Sequence, residues 1–180
     1  MESGRVVESE ESMEIREERE GDKDAIRRVH LDAFRGDREA RLVELLRDRG
    51  NAIASLVAVS DGDVVGHVMF SPMTIETADG VRGIGLAPVG VLPPHQRQGI
   101  GSSLIREGVL GCTRSGFDLV FLVGDPRYYS RFGFRRAKAY GFDNEYGVDE
   151  EFMVLELQHG ALTRAGGLVR YLPEFAEVSC

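Results

Sequence analysis

Tryptophan is absent from this chain, and cysteine occurs only twice, at Cys112 and Cys180. Cysteines this few and this far apart build neither a disulfide framework nor a zinc knuckle, and neither has a His or Cys at ligand spacing. The expectation is no metal and a reducing, cytoplasmic setting. Long apolar runs are missing too; none approaches the ~18 residues of a membrane-spanning helix. The N-terminus lacks the basic-then-apolar pattern of a secretory signal. Positive charge is in deficit, with 22 Lys and Arg against 30 Asp and Glu and a formal net charge of −8. That balance argues against nucleic acid or an anionic membrane as a partner.

What is present describes one ordinary domain. The 180 residues are 42% hydrophobic and 29% charged. That is enough to bury about 70% of the unfolded surface in one core, and too little chain for two domains of ~150 residues. Residues 1–12 are acidic and poor in apolar side chains, so a disordered extension is expected there, with Met13 as an alternative start. No repeat or linker follows. Charge is unevenly spread: from His95 to Lys138 eight Arg and Lys stand against three acids, an excess of five that leaves −13 elsewhere. A basic island in an acidic chain suits an anionic small molecule, although a solvated helix face would look the same.

Apolar periodicity gives the order β-α-α-β-β-β-α-β-α-β, a mixed sheet with helices packed on it. Met13 to Glu18 reads as a strand. Asp22 is placed to cap a helix reaching Phe34 with Ile26, Val29 and Ala33 inward. A second helix, Arg38 to Arg49, stops at Gly50. Ile53–Val59 and Val64–Phe70 flank an Asp-Gly turn, and Ile75–Thr77 extends the second of them. Gly83–Val91 is a strand and Gly99–Arg114 a helix with Leu104, Ile105, Val109 and Cys112 on one side. Leu119–Val123 is a wholly apolar strand, as expected when both faces are covered. Pro126–Phe132 suits a short helix, Phe152–Leu157 is the last clear strand, and a Gly-rich tail ends the chain.

The segment that carries chemistry runs VGVLPPHQRQGIGSSL, from Val89 to Leu104. A strand halts at Pro93-Pro94, and Gln96-Arg97-Gln98-Gly99-Ile100-Gly101 leads straight into a helix. Free N–H groups and the positive dipole end at a helix start favour an anion in that turn. Gly99 and Gly101 permit close approach or positive φ, Arg97 adds charge, and a diphosphate would fit. The dinucleotide motif fails because Leu104 stands where a small residue is needed, and the P-loop fails because no Gly-Lys pair exists. A plain Gly-tightened strand-to-helix turn remains open on these residues alone.

This segment resembles motif A of the GNAT superfamily of N-acetyltransferases: Val91-Leu92-Pro93, then Gln96 to Gly101 as Q-x-x-G-x-G. A second stretch is similar to the family's motif B: Leu119–Val123, Gly124-Asp125-Pro126, then Tyr128-Tyr129-Ser130-Arg131-Phe132-Gly133-Phe134. The wording of that stretch is further similar to a bacterial subfamily of acetyltransferases. The resemblance spans about residues 13–157, implying an N-acetyltransferase domain there and a tail, 158–180, packed on it. It implies an α/β (α+β mixed) fold, a GNAT-type mixed twisted sheet flanked by helices, with a splay between the two central parallel strands. Acetyl-CoA is the implied co-substrate, and the function an acetyl transfer made directly to a primary amine on a small molecule or peptide. Its pyrophosphate would lie on the loop Gln96, Arg97, Gln98, Gly99, Ile100, Gly101 and Ser102, with Arg131 reaching phosphate or solvent. Its arm would run between the Val89–Val91 and Leu119–Val123 strands, with Val89 and Val91 as backbone contacts and Val91 polarising the thioester. Irregularity opening the splay is expected at Pro88 and Gly90.

Acetyl transfer needs a neutral amine, an oxyanion donor and a proton for the departing thiolate. Tyr129, four residues before Gly133, holds the place where the family often carries that acid; a core aromatic with a wet hydroxyl is the bland alternative. Tyr128 reads as packing and Cys112 as core. No general base stands out: Glu76, His67 and His95 are candidates by position alone, and the resemblance implies ordered water or a substrate already deprotonated as alternatives. No G-x-S-x-G elbow or H-E-x-x-H motif is present. The competing functions are a non-catalytic acyl-CoA-binding sensor or regulatory module, and a nucleotide or phosphate-ester binder of another fold.

Overall fold

The computed structural model describes residues 12–179. The expected disorder of residues 1–12, Ser12 apart, and Cys180 lie outside the described residues. The strands are β1 (Met13–Glu17), β2 (Ala54–Ser60), β3 (Asp63–Ala78), β4 (Gly83–Val91), β5 (Leu119–Val123), β6 (Arg135–Arg136), β7 (Phe142–Asn144), β8 (Phe152–Glu156) and β9 (Ala165–Arg170). The helices are α1 (Lys23–Ala33), α2 (Arg38–Asp48), α3 (Ile100–Arg114), α4 (Pro126–Tyr129), α5 (Ala161–Arg164) and α6 (Pro173–Glu177). The sheet runs β1-β2-β3-β4-β5-β8-β6, antiparallel except for the β4–β5 pair. The far half of β3 pairs with β9, which carries β7 in parallel.

Helices cover both faces. On one, Leu104 and Ile105 of α3 pack against Phe70, Ile84 and Val120. A Cβ on Gly108 would stand 2.3 Å from the Phe70 ring, so glycine sets how closely this helix approaches the sheet. On the other, Ile26 of α1 and Leu46 of α2 bury Val57 and Met69. A third cluster, with Phe121 between Phe142 and Phe152, joins the sheet to the β7–β9 layer.

Three local expectations need correction. Asp22 stands at the N-cap position of α1 but its side chain makes no cap hydrogen bond there; its carboxylate takes the Arg16 guanidinium at 2.7 and 3.0 Å and the Arg19 N–H at 2.7 Å, closing the turn before the helix. Ala33 is half-buried, and the fully buried residue beside Ile26 and Val29 is His30. Phe152–Glu156 is not the last strand. β9 follows, and it is anchored where Glu76 Oε2 accepts the Leu168 N–H at 2.9 Å.

Candidate active site

Parallel pairing of β4 with β5 lasts only three residues, Gly83↔Leu119, Ile84↔Val120 and Gly85↔Phe121. Beyond Gly85 the strands part, so the gap opens beside Leu86–Val91 and Leu122–Val123, later along β5 than the whole of Leu119–Val123. A bulge explains the divergence: Val68 faces Val89 but Phe70 faces Leu86, so Ala87 and Pro88, joined by a cis peptide, oppose Met69 alone. Pro88 thus sits in the expected irregularity and Gly90 does not. Gly90 is in regular register with His67, and its missing side chain instead admits His30.

The ladder's phase fixes which backbone groups face the gap. Leu92 N–H donates to Val65 C=O at 2.9 Å, marking that pair as hydrogen-bonded. Alternation then turns the polar groups of Gly90 toward β3 and those of Val89 and Val91 toward the gap. The Val91 carbonyl is taken by the Gln96 side-chain amide at 2.9 Å, leaving the Val91 N–H.

Below the gap the chain turns into α3. Arg97 (φ 61°) and Gly99 (φ 83°) adopt the left-handed conformation. The backbone N–H groups of Arg97, Gln98, Gly99, Ile100, Gly101 and Ser102 donate to no acceptor among the described residues. Five of these residues, all but Gln98, line a cavity of about 500 Å³, and free N–H groups so gathered have the geometry of an anion nest. Ile100 is buried against Gly66, so only its backbone serves the nest. The Gln98 amide donates to Pro94 C=O at 3.2 Å, holding the loop. Arg131 lies over the Tyr128 ring at 4.3 Å and donates to the Tyr128 carbonyl at 2.8 Å, at the rim of the same cavity. Among the described residues no group of His, Cys, Asp and Glu could hold a metal ion.

Consecutive tyrosines face different spaces. Tyr128 reaches Ser102 Oγ at 3.3 Å beside the nest, so it is more than packing. Tyr129 faces a second cavity of about 630 Å³ on the far side of the gap, bordered by Pro88, Val89 and Val123. A Cβ on Gly124 would lie 2.3 Å from the Tyr129 ring, which glycine therefore admits. Burial, with Tyr128 adding, pushes the Tyr129 phenol up to about 12, so it stays protonated at neutral pH.

The three weak base candidates do not meet there. His95 borders the nest, and Glu76 holds β9. His67 is fully buried in a chain: His30 Nε2 and His67 Nδ1 are 2.8 Å apart, His67 Nε2 and Ser55 Oγ 2.8 Å, and Ser55 Oγ donates to Glu18. That last donation sets the tautomers. His67 donates through Nε2 to Ser55, so its bare Nδ1 accepts from His30, and His30 Nδ1 is left without a partner. Burial lowers both imidazoles, His30 to about 4. Burial also raises the Cys112 thiol to about 12, in keeping with a core role. The sequence reading missed His30 and Glu39; Glu39 borders the Tyr129 cavity from the first turn of α2.

Residues 14–137 match the model of the acetyltransferase (GNAT) domain. The uncharacterized N-acetyltransferase YhbS of Escherichia coli is 37% identical over 145 residues, covering 79% of this chain and 86% of its own. The uncharacterized N-acetyltransferase YjhQ of the same organism is 38% identical over 130 residues, 70% of this chain and 72% of its own. The crystal structure of E. coli YhbS in complex with CoA superposes with a TM-score of 0.88 at 33% identity, over 96% of each chain. A GNAT family acetyltransferase from Brucella melitensis in complex with acetyl-CoA gives 0.76 at 36% identity, over 92% of this chain and 99% of its own. The nest, the gap and the two tyrosines thus lie in a fold shared with these proteins, and the chain belongs to the GNAT acetyltransferase family.

Proposed function

We propose that this protein transfers the acetyl group of acetyl-CoA directly to a primary amine in a ternary complex. The observation that carries the reading is the alignment of the anion nest with the gap: pairing of β4 and β5 stops at Gly85, and Val89 and Val91 turn their backbone groups into the space beyond. Two relatives crystallised with CoA and acetyl-CoA support the identity of the co-substrate.

Each residue then has a task. The N–H groups of Arg97 to Ser102 hold the diphosphate, Arg131 adds positive charge at the rim, and the backbone of Val89 and Val91 pairs with the arm as an added strand would. Gln96 occupies the Val91 carbonyl, so the Val91 N–H is aimed at the thioester oxygen; a well-placed donor to a developing oxyanion contributes ~3 kcal/mol. As the amine attacks, a C–N bond forms, the C–S bond breaks, and the N–H proton ends on sulfur. Tyr129 relays it, its phenol donating to the sulfur while the acidified nitrogen restores it. A reducing, cytoplasmic setting fits the one described cysteine, which is buried and free.

The test is Tyr129→Phe, followed by CoA release with an amine panel and by calorimetric titration of acetyl-CoA. Loss of about 10²-fold in kcat with acetyl-CoA affinity unchanged is expected. Binding of acetyl-CoA without turnover on any amine in the parent protein would instead establish a non-catalytic acyl-CoA sensor.

A further inference from the structure

We infer that the acceptor is a monoamine on a flat, apolar body, an arylalkylamine, and that Glu39 receives its ammonium; this rests on the acetyltransferase reading above. The cavity next to Tyr129 has a volume of about 630 Å³, room for a small molecule of this kind. Its wall is aromatic. Tyr146, Tyr171 and Phe175 follow one another with ring centroids 5.5 and 4.9 Å apart, and Phe34 and Tyr129 also border the space. Such a lining offers stacking to a ring and π-faces to a cation.

Two charged side chains border the cavity, Arg38 and Glu39. The Arg38 guanidinium donates to Ser179 Oγ at 2.8 Å, and both residues border the cavity. Among the described residues Glu39 makes no hydrogen bond or ion pair and is the one side-chain carboxylate on the wall. One carboxylate matches one ammonium. A polyamine would leave further charges against aromatic surface with nothing to balance them. The aromatic wall and the single acid therefore select the amine class together, and Glu39 determines specificity by holding the incoming ammonium toward the gap at Val89, where it yields one proton to water before the neutral nitrogen attacks.

The experiment compares 2-phenylethylamine, n-butylamine, spermidine and phenylalanine as acceptors at saturating acetyl-CoA. CoA release is followed, and calorimetry of 2-phenylethylamine is run on the protein loaded with CoA. Expected is a kcat/KM for 2-phenylethylamine at least tenfold above each of the others. Glu39→Gln should raise its KM about tenfold with acetyl-CoA affinity unchanged, and Phe175→Leu should raise KM for 2-phenylethylamine but not for n-butylamine. Preference for spermidine or phenylalanine, indifference to Glu39→Gln, or failure of 2-phenylethylamine either to react or to bind overturns the inference. Failure of the acetyltransferase reading is distinct, because acetyl-CoA then either does not bind or binds and releases CoA with none of the four acceptors.

Discussion

His30 stands against the backbone of Gly90: a Cβ there would lie 3.0 Å from His30 Nδ1, 3.2 Å from Cε1 and 3.3 Å from the Phe34 ring. The imidazole cannot retreat, because it is fully buried and its Nε2 is joined to His67. Gly90→Ala therefore forces α1 away from β4, between the two residues whose backbone faces the gap. Destabilisation of ~1–3 kcal/mol is expected, together with weaker acetyl-CoA binding, as Val89 and Val91 shift. Urea unfolding and calorimetry check it; an unchanged midpoint would mean the contact has slack.

Acid should weaken the fold through the same pair. Burial lowers His30 from its ordinary 6.5 to about 4, and His67 is lowered as well. Both are neutral in the folded protein, while the unfolded chain takes up protons below pH 6.5. The stabilisation is complete above that value and is lost as pH falls from 6.5 through about 4. By linkage His30 alone removes about 2 kcal/mol between pH 7 and pH 5, roughly 4–8 °C in melting temperature for a domain of this size. In His30→Gln the amide still donates to His67 but no longer titrates, so the slope of melting temperature against pH should shrink. An equal slope would assign the acid sensitivity elsewhere.

Two glycines of one helix should respond oppositely to alanine. Gly108 faces Phe70, with 2.3 Å for a new Cβ, whereas at Gly111 nothing lies within 4 Å. Gly108→Ala should destabilise by ~1–3 kcal/mol despite alanine's better helix propensity, since α3 must lift from the sheet. Gly111→Ala should stabilise by ~0.5–1 kcal/mol. Adding Phe70→Leu should recover part of the first loss. Chemical denaturation of the three variants decides, and a stable Gly108→Ala would show that the ring moves freely.

Much of this was legible in the sequence where the cause is local. The nest is written in Gly99 and the start of α3, because a glycine's positive φ and free helix N–H groups are decided within a few residues; Arg97 reads only as charge, so its left-handed backbone was not legible, and Gly101 is helical instead. Pro88 announced the bulge for the same reason. Gly90 misled, since a glycine in a strand marks either a bulge or a close approach, and only the packing of α1 shows that it is the latter. His30 was invisible because a histidine on a helix reads as polar until its partner, 37 residues on, is known. β9 was hidden by Gly166-Gly167, which carry no strand signal, and it is fixed by a carboxylate 92 residues earlier. The Tyr129 cavity joins α1, α2, the β4 bulge, the residues after β7 and the tail, and no run of sequence contains that relationship.

The most direct measurement is a melting curve of the purified protein with acetyl-CoA, with CoA and with adenosine diphosphate. At a concentration ~100 times Kd, selective binding adds ~2.7 kcal/mol, or roughly 5–10 °C. The nest and the gap together predict a rise of that size with both acetyl-CoA and CoA, and a much smaller one with the nucleotide, which fills the nest alone. No rise at saturating acetyl-CoA, or an equal rise with adenosine diphosphate, would contradict the account.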